Sequence, residues 1–251
     1  MLRGMSPLHY AVIGAGPTVL LVHAGVCDSR MWASQVEDLR RDHRVITLDL
    51  RGYGVTPLEA GAKYSDAGDV LELLELLDTD TTAAVAASYG AYVVLQAASK
   101  ASGRFNRLVL MSPPVDGVEP TEDFRAFVAE ENRLLEAGDV DAATDLNVRT
   151  SLGPEADDEA RELVRVMQRR AFELQLAAGD EVHNDEYEVG GITVPVKLFT
   201  GTHQLSFFQD CAAHLATQLP DVENTILPWA GHLPSLERPA ETTALIRNAL
   251  R

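Results

Sequence analysis

Thr82-Ala83-Ala84-Val85-Ala86-Ala87-Ser88-Tyr89-Gly90-Ala91 carries the strongest fold signal in the chain. Thr82 to Ala87 reads as a buried strand of small residues. Gly90 to Ser102 reads as a helix, apolar on nearly every side, which a helix tolerates when it is buried all round. Ser88 lies between them. A turn this tight needs small residues two before and two after the serine, and the chain supplies Ala86 and Gly90. Such a strand–turn–helix holds a serine hydroxyl at the carboxyl edge of a sheet. The common pattern is G-x-S-x-G; here it is A-x-S-x-G, and Ala86 fits where the backbone needs no positive φ. The positive end of the following helix points at any negative charge that develops beside Ser88. A serine acting only as a helix N-cap gives the same five residues, so the rest of the chain has to decide.

On both sides of this turn, apolar strand patterns alternate with helical ones. Strands are expected at Thr18 to His23, Val45 to Asp49, Thr82 to Ala87, Leu108 to Met111, Val194 to Phe199 and Glu223 to Leu227, with Leu8 to Ile13 as an antiparallel edge. Helices are expected at Ser29 to Arg40, capped by Asp28 or Ser29, and at Ser65 to Leu77, Gly90 to Ser102, Gln209 to Leu219 and Pro239 to Leu250. Regular strand–helix alternation implies a mostly parallel, doubly wound α/β sheet. Val115 to Gly190 breaks the rhythm with three helical stretches and no strong strand. Phe124, Phe127, Val128 and Leu135 recur there at helical spacing, as do Ala160, Leu163, Val164, Met167, Ala171 and Leu174. The expected organisation is a core domain of residues 1–114 and 191–251 with a helical cap at 115–190.

Bulk properties bound the function. A 251-residue chain with 46% hydrophobic and 24% charged residues can form a core without staples. A formal net charge of −17 argues against nucleic acid and anionic membrane surfaces as partners. Cys27 and Cys211 make no disulfide framework, and no Cys/His cluster suggests a metal. No signal-peptide stretch or membrane-length apolar run is present, so a cytoplasmic location is expected.

Four segments in order resemble the α/β-hydrolase superfamily across nearly the whole chain, least in the cap. They are the Ser88 elbow, Val22-His23-Ala24-Gly25-Val26-Cys27-Asp28, Asp49-Leu50-Arg51-Gly52-Tyr53-Gly54, and Ala230-Gly231-His232-Leu233-Pro234-Ser235-Leu236-Glu237-Arg238-Pro239. The His23 segment is similar to the family's oxyanion loop, and the His232 segment to its catalytic-histidine loop. The resemblance implies a sheet of about eight strands, Ser88 as nucleophile and His232 as base, with no cofactor. It implies an oxyanion hole from the backbone amides of Tyr89 and Gly25, with Val26 the alternative to Gly25. His23 is expected to support the oxyanion loop, the Asp49 turn to anchor loops, and Trp32 to be core.

The family's acid usually follows a strand as G-x-x-D. Here Gly201-Thr202-His203-Gln204 puts Gln204 in that place. A Gln carbonyl can accept the second imidazole N–H, but it carries no charge to stabilise an imidazolium. Asp116, after Pro113-Pro114, is another candidate acid, although an Asp in such a loop is more often simply solvent-exposed; Asp210 is a weaker one. Three functions therefore compete. One is a serine hydrolase of an ester, thioester or lactone. Another is an impaired hydrolase scaffold that binds or senses a small ligand. The third is a His-driven lyase or oxygenase in which Ser88 only binds. Phe124, Phe127, Met167 and Phe208 suit a partly apolar small-molecule substrate, although for each of them the core is the commoner place.

Overall fold

The computed structural model describes residues 6–61, 63–178 and 187–251. Part of the expected cap, residues 179–186, and the five N-terminal residues lie outside the described residues. Among the described residues, seven strands form one sheet in the order β1-β3-β2-β4-β5-β6-β7. They are β1 (His9–Ile13), β2 (Thr18–Val22), β3 (Arg44–Asp49), β4 (Thr82–Ala87), β5 (Phe105–Met111), β6 (Val196–Gly201) and β7 (Val222–Leu227). Only β1 pairs antiparallel, with β3; every other pairing is parallel. All seven strands read from the sequence are present, and the eighth that the resemblance implied has no counterpart among the described residues.

The helices of the core are α1 (Ala33–Leu39), α2 (Asp66–Leu76) and α3 (Tyr89–Lys100), then α7 (Ser206–Gln218), α8 (Pro234–Glu237) and α9 (Pro239–Ala249). Between β5 and β6 the chain inserts α4 (Glu122–Glu136), α5 (Val140–Ser151) and α6 (Asp158–Ala178). The helix expected from Ser29 starts as a 3-10 turn, Ser29–Trp32, and Asp28 caps it by accepting from the Arg30 amide. Ser65 caps α2 by accepting from the Gly68 amide.

Apolar side chains from the two faces of the sheet form separate cores. One packs Leu20, Leu48, Leu110 and Leu198 against α2, α3 and α7; the other packs Leu21, Val85, Val109 and Trp32 against α1 and α9. Gly90 lets α3 come in close. A Cβ on Gly90 would lie 2.2 Å from the His23 carbonyl oxygen, so the first turn of α3 rests directly on the backbone at the end of β2. The strand order reverses between β2 and β4, and in open α/β sheets ligands bind outside the carboxyl ends at such a point. No helix of the described residues is long and apolar enough to cross a membrane.

Candidate active site

Ser88 ends β4 and opens α3 with φ 49° and ψ −121°. This is left-handed backbone that a serine rarely adopts, a conformation of order 1–3 kcal/mol above the common ones. The neighbouring structure over-determines it. The Ser88 amide donates to the Met111 carbonyl on β5 at 2.8 Å, and the Ser88 carbonyl accepts from Ala91 and Tyr92 in the first turn of α3. The strain lifts the hydroxyl out of the strand and leaves the side chain free of the capping role: no cap hydrogen bond is made by Ser88.

The loop after β2 supplies the facing wall. Cys27 donates to the Ala24 carbonyl at 2.9 Å, which closes the turn around Gly25 and Val26. A Cβ on Gly25 would sit 3.2 Å from the Tyr89 Cβ, so this loop and the residue after Ser88 touch. Val26 lines the same cavity as Ser88. Beneath the loop, His23 is fully buried. Its Nδ1 donates to the Ala24 carbonyl at 2.8 Å and its Nε2 accepts from the Leu50 amide at 3.0 Å. The Asp49 carboxylate accepts from the Ser29 amide at 2.8 Å and the Val55 amide at 3.1 Å, and so ties two loops together. Trp32 is completely buried.

His232 stands in the loop between β7 and α8. Its amide donates to the Ser151 carbonyl at the end of α5 (3.0 Å), and the preceding Gly231 amide donates to both oxygens of buried Glu237, at 3.0 and 2.9 Å. The loops after β6 and β7 are zipped side by side: Thr202 donates to Leu227 and His203 to Ala230. This brings Gln204 to the imidazole, with its Oε1 2.8 Å from His232 Nδ1. The Gln204 Nε2 lies 3.2 Å from the Gly201 carbonyl. A carbonyl accepts and never donates, so that end of Gln204 is the NH2, and the oxygen faces His232. Nδ1 therefore carries the proton and Nε2 is the basic nitrogen. Burial pushes the imidazole down to about 4, and the Phe208 ring packs on it with centroids 4.1 Å apart.

Asp116 does not reach His232. Its carboxylate accepts from the Tyr92 hydroxyl at 3.3 and 3.1 Å, one turn along α3 from Ser88. The loop after Pro113-Pro114 follows α3 instead of bending under the imidazole, and Gln204 already fills the place beside Nδ1. Asp116 is exposed, as is Asp210 on α7.

Ser88 and His232 share one cavity of about 140 Å³, lined also by Val26, Phe124, Phe127, Asn147, Thr150, Ser151, Leu205 and Phe208. Three of the four apolar residues singled out in the sequence thus face it. The fourth, Met167, is core, its sulfur accepting from the Asp28 amide at 3.4 Å. The α5 residues Asn147, Thr150 and Ser151 had no signal in the sequence, because a polar face on a helix usually means solvent. Among the described residues no group of His, Cys, Asp and Glu could hold a metal ion.

Comparison with known proteins agrees with this architecture. The chain is 24% identical over 261 residues to a pimeloyl-[acyl-carrier protein] methyl ester esterase of Nitrosospira multiformis, covering 97% of this chain and 98% of that one. It is 25% identical to the carboxylesterase YbfK of Bacillus subtilis, over 89% of this chain and 76% of the relative. The solved structure of the enol-lactonase from Burkholderia xenovorans superposes with a TM-score of 0.78 at 22% identity, covering 97% and 96% of the two chains. The model of the alpha/beta hydrolase family matches residues 19–245, a span that takes in the Gly25 loop, the strained Ser88 turn and the His232 loop, and the chain belongs to that family.

Proposed function

We propose that the protein is a cofactor-independent serine hydrolase of a small carboxylic ester, thioester or lactone. Ser88 attacks the acyl carbon, His232 Nε2 takes its proton, and the amides of Tyr89 and Gly25 receive the oxyanion. Water then releases the acyl group by the same base. Gln204 is a positioning residue that fixes the imidazole tautomer. The three inserted helices act as a cap whose Phe124 and Phe127 meet the apolar part of the substrate.

The observation that carries this reading is the cavity common to the strained Ser88 and to a His232 whose Nδ1 is tied to Gln204. The esterase relatives add support, since the pimeloyl-[acyl-carrier protein] methyl ester esterase matches over nearly its whole length. An irreversible fluorophosphonate tests the reading. Stoichiometric labelling at Ser88, lost in Ser88→Ala, is the expected result; folded protein that stays unlabelled overturns it.

One observation favours an alternative. His232 has a neutral partner, and replacing the acid by an amide in a serine protease lowers kcat by about 10⁴. A scaffold that binds a small ligand and turns it over slowly would show saturable binding with negligible hydrolysis.

A further inference from the structure

Gln204 separates two tasks that a carboxylate performs together. Orientation is complete: the Gly201 carbonyl fixes the amide (3.2 Å), and the amide oxygen fixes the Nδ1 proton of His232 (2.8 Å). Charge is missing. An imidazolium formed here would be buried against Phe208, in a cavity whose wall combines Val26, Phe124, Phe127 and Leu205 with the neutral polar residues Asn147, Thr150 and Ser151 and holds no carboxylate. The ring's depression to about 4 comes from burial, with no anion among the described residues offsetting it. Proton transfer to His232 therefore has a cost that grows with the positive charge the ring carries in the transition state.

That cost differs between acyl compounds. In acylation the Ser88 Oγ forms a bond to the acyl carbon, its proton moves toward His232 Nε2, and the carbonyl electron pair moves onto oxygen. When that pair returns, the leaving group departs with the electrons of its own bond. The alkoxide of a simple alcohol is too basic to leave unprotonated, so the imidazolium must be fully formed and must hand its proton over. A thiolate, phenolate or enolate leaves as an anion after an early transition state, with little charge on the ring; the proton then passes from His232 to water.

We propose that this site is selective for acyl compounds with acidic leaving groups (thioesters, aryl esters, and enol esters or lactones) and handles simple alkyl esters poorly, because Gln204 orients His232 without supplying charge. The proposal rests on the serine-hydrolase reading above. Deacylation is common to all leaving groups and becomes the slow step for activated substrates, so leaving group is released in a burst.

The test is a series of acetyl compounds: p-nitrophenyl, phenyl, S-phenyl, trifluoroethyl and ethyl. In the native protein kcat/KM falls steeply in the order of leaving-group acidity, with a burst at the acidic end. Gln204→Asp raises the alkyl end by about tenfold or more, a fraction of the roughly 10⁴ an acid is worth in a serine protease, and moves the aryl end far less. A flat series in the native protein overturns the proposal, as does an equal gain at both ends in Gln204→Asp. Aspartate is shorter than glutamine, so Gln204→Glu is measured in parallel; either carboxylate loses the N–H that meets the Gly201 carbonyl, and if both variants are inactive, the native series decides. Hydrolysis with a flat series sinks this proposal alone, whereas no turnover of any member together with no labelling of Ser88 sinks the hydrolase reading beneath it.

Discussion

The loops after β2 and β7 each bury a histidine, and the difference between the two is instructive. His23 and His232 are both depressed by loss of hydration. His23 has both ring nitrogens engaged by backbone, the Ala24 carbonyl on one side and the Leu50 amide on the other. His232 has Nδ1 engaged by Gln204, and the residue lines the cavity of Ser88. Burial and a lowered pKa are thus common to a structural histidine and the proposed base. What separates them is a nitrogen left without a backbone partner on a residue that shares a cavity with Ser88, so perturbed titration points to function only together with geometry.

Removing each partner of the proposed dyad puts this contrast at greatest risk. Ser88→Ala and His232→Ala should each lower ester turnover by at least about 10²-fold while the fold persists, because these residues act as one unit and the acid's share is already absent with Gln204; steady-state kinetics and far-UV circular dichroism check both halves. His23→Ala should do the reverse. It removes a buried ring and strands the Leu50 amide, at about 3–5 kcal/mol, read from urea unfolding. The protein that remains folded should still label at Ser88.

Acid should then distinguish the histidines by activity and stability together. The His232 ring titrates at about 4 in the folded protein, against an ordinary 6.5 in the unfolded chain. Between these values the unfolded chain binds a proton that the folded one does not. Stability therefore falls as pH drops from about 7 toward 4 and levels off below, with His232 contributing up to about 3 kcal/mol. That share should vanish in His232→Ala, seen in unfolding midpoints at pH values of about 7 and about 4.5. Over the same range kcat/KM should stay level down to about pH 5, where an unperturbed histidine base would already be mostly protonated. The smallest effect is expected for Asp116→Asn. Its carboxylate meets Tyr92 on α3, so kcat/KM should change less than about twofold and stability by no more than about 0.5 kcal/mol. A large loss of kcat there would mean that Asp116 reaches His232 during turnover.

Read along the chain alone, the strand and helix pattern, the Ser88 turn and the place of Gln204 in the loop after β6 are all legible. These are local matters. A small-residue strand running into a serine and a glycine admits few backbone paths, and Gly90 is dictated by contact with the carbonyl of His23. Asp28 announces its helix because capping is decided within three residues.

What each long-range group meets is settled by packing in three dimensions. That Asp116 turns to Tyr92 depends on the path of a loop. That Phe124, Phe127 and Phe208 face the cavity while Met167 fills the core depends on how α4, α6 and α7 pack, since an apolar side chain at helical spacing suits either environment. The Gln204 amide is the clearest case. Its identity is plain in the chain, but its orientation follows from a carbonyl three residues back that can only accept, and its contact with His232 from two neighbouring strands that hold their loops together. Hydrogen-bond direction is a property of the partner, and folding alone brings the partner near.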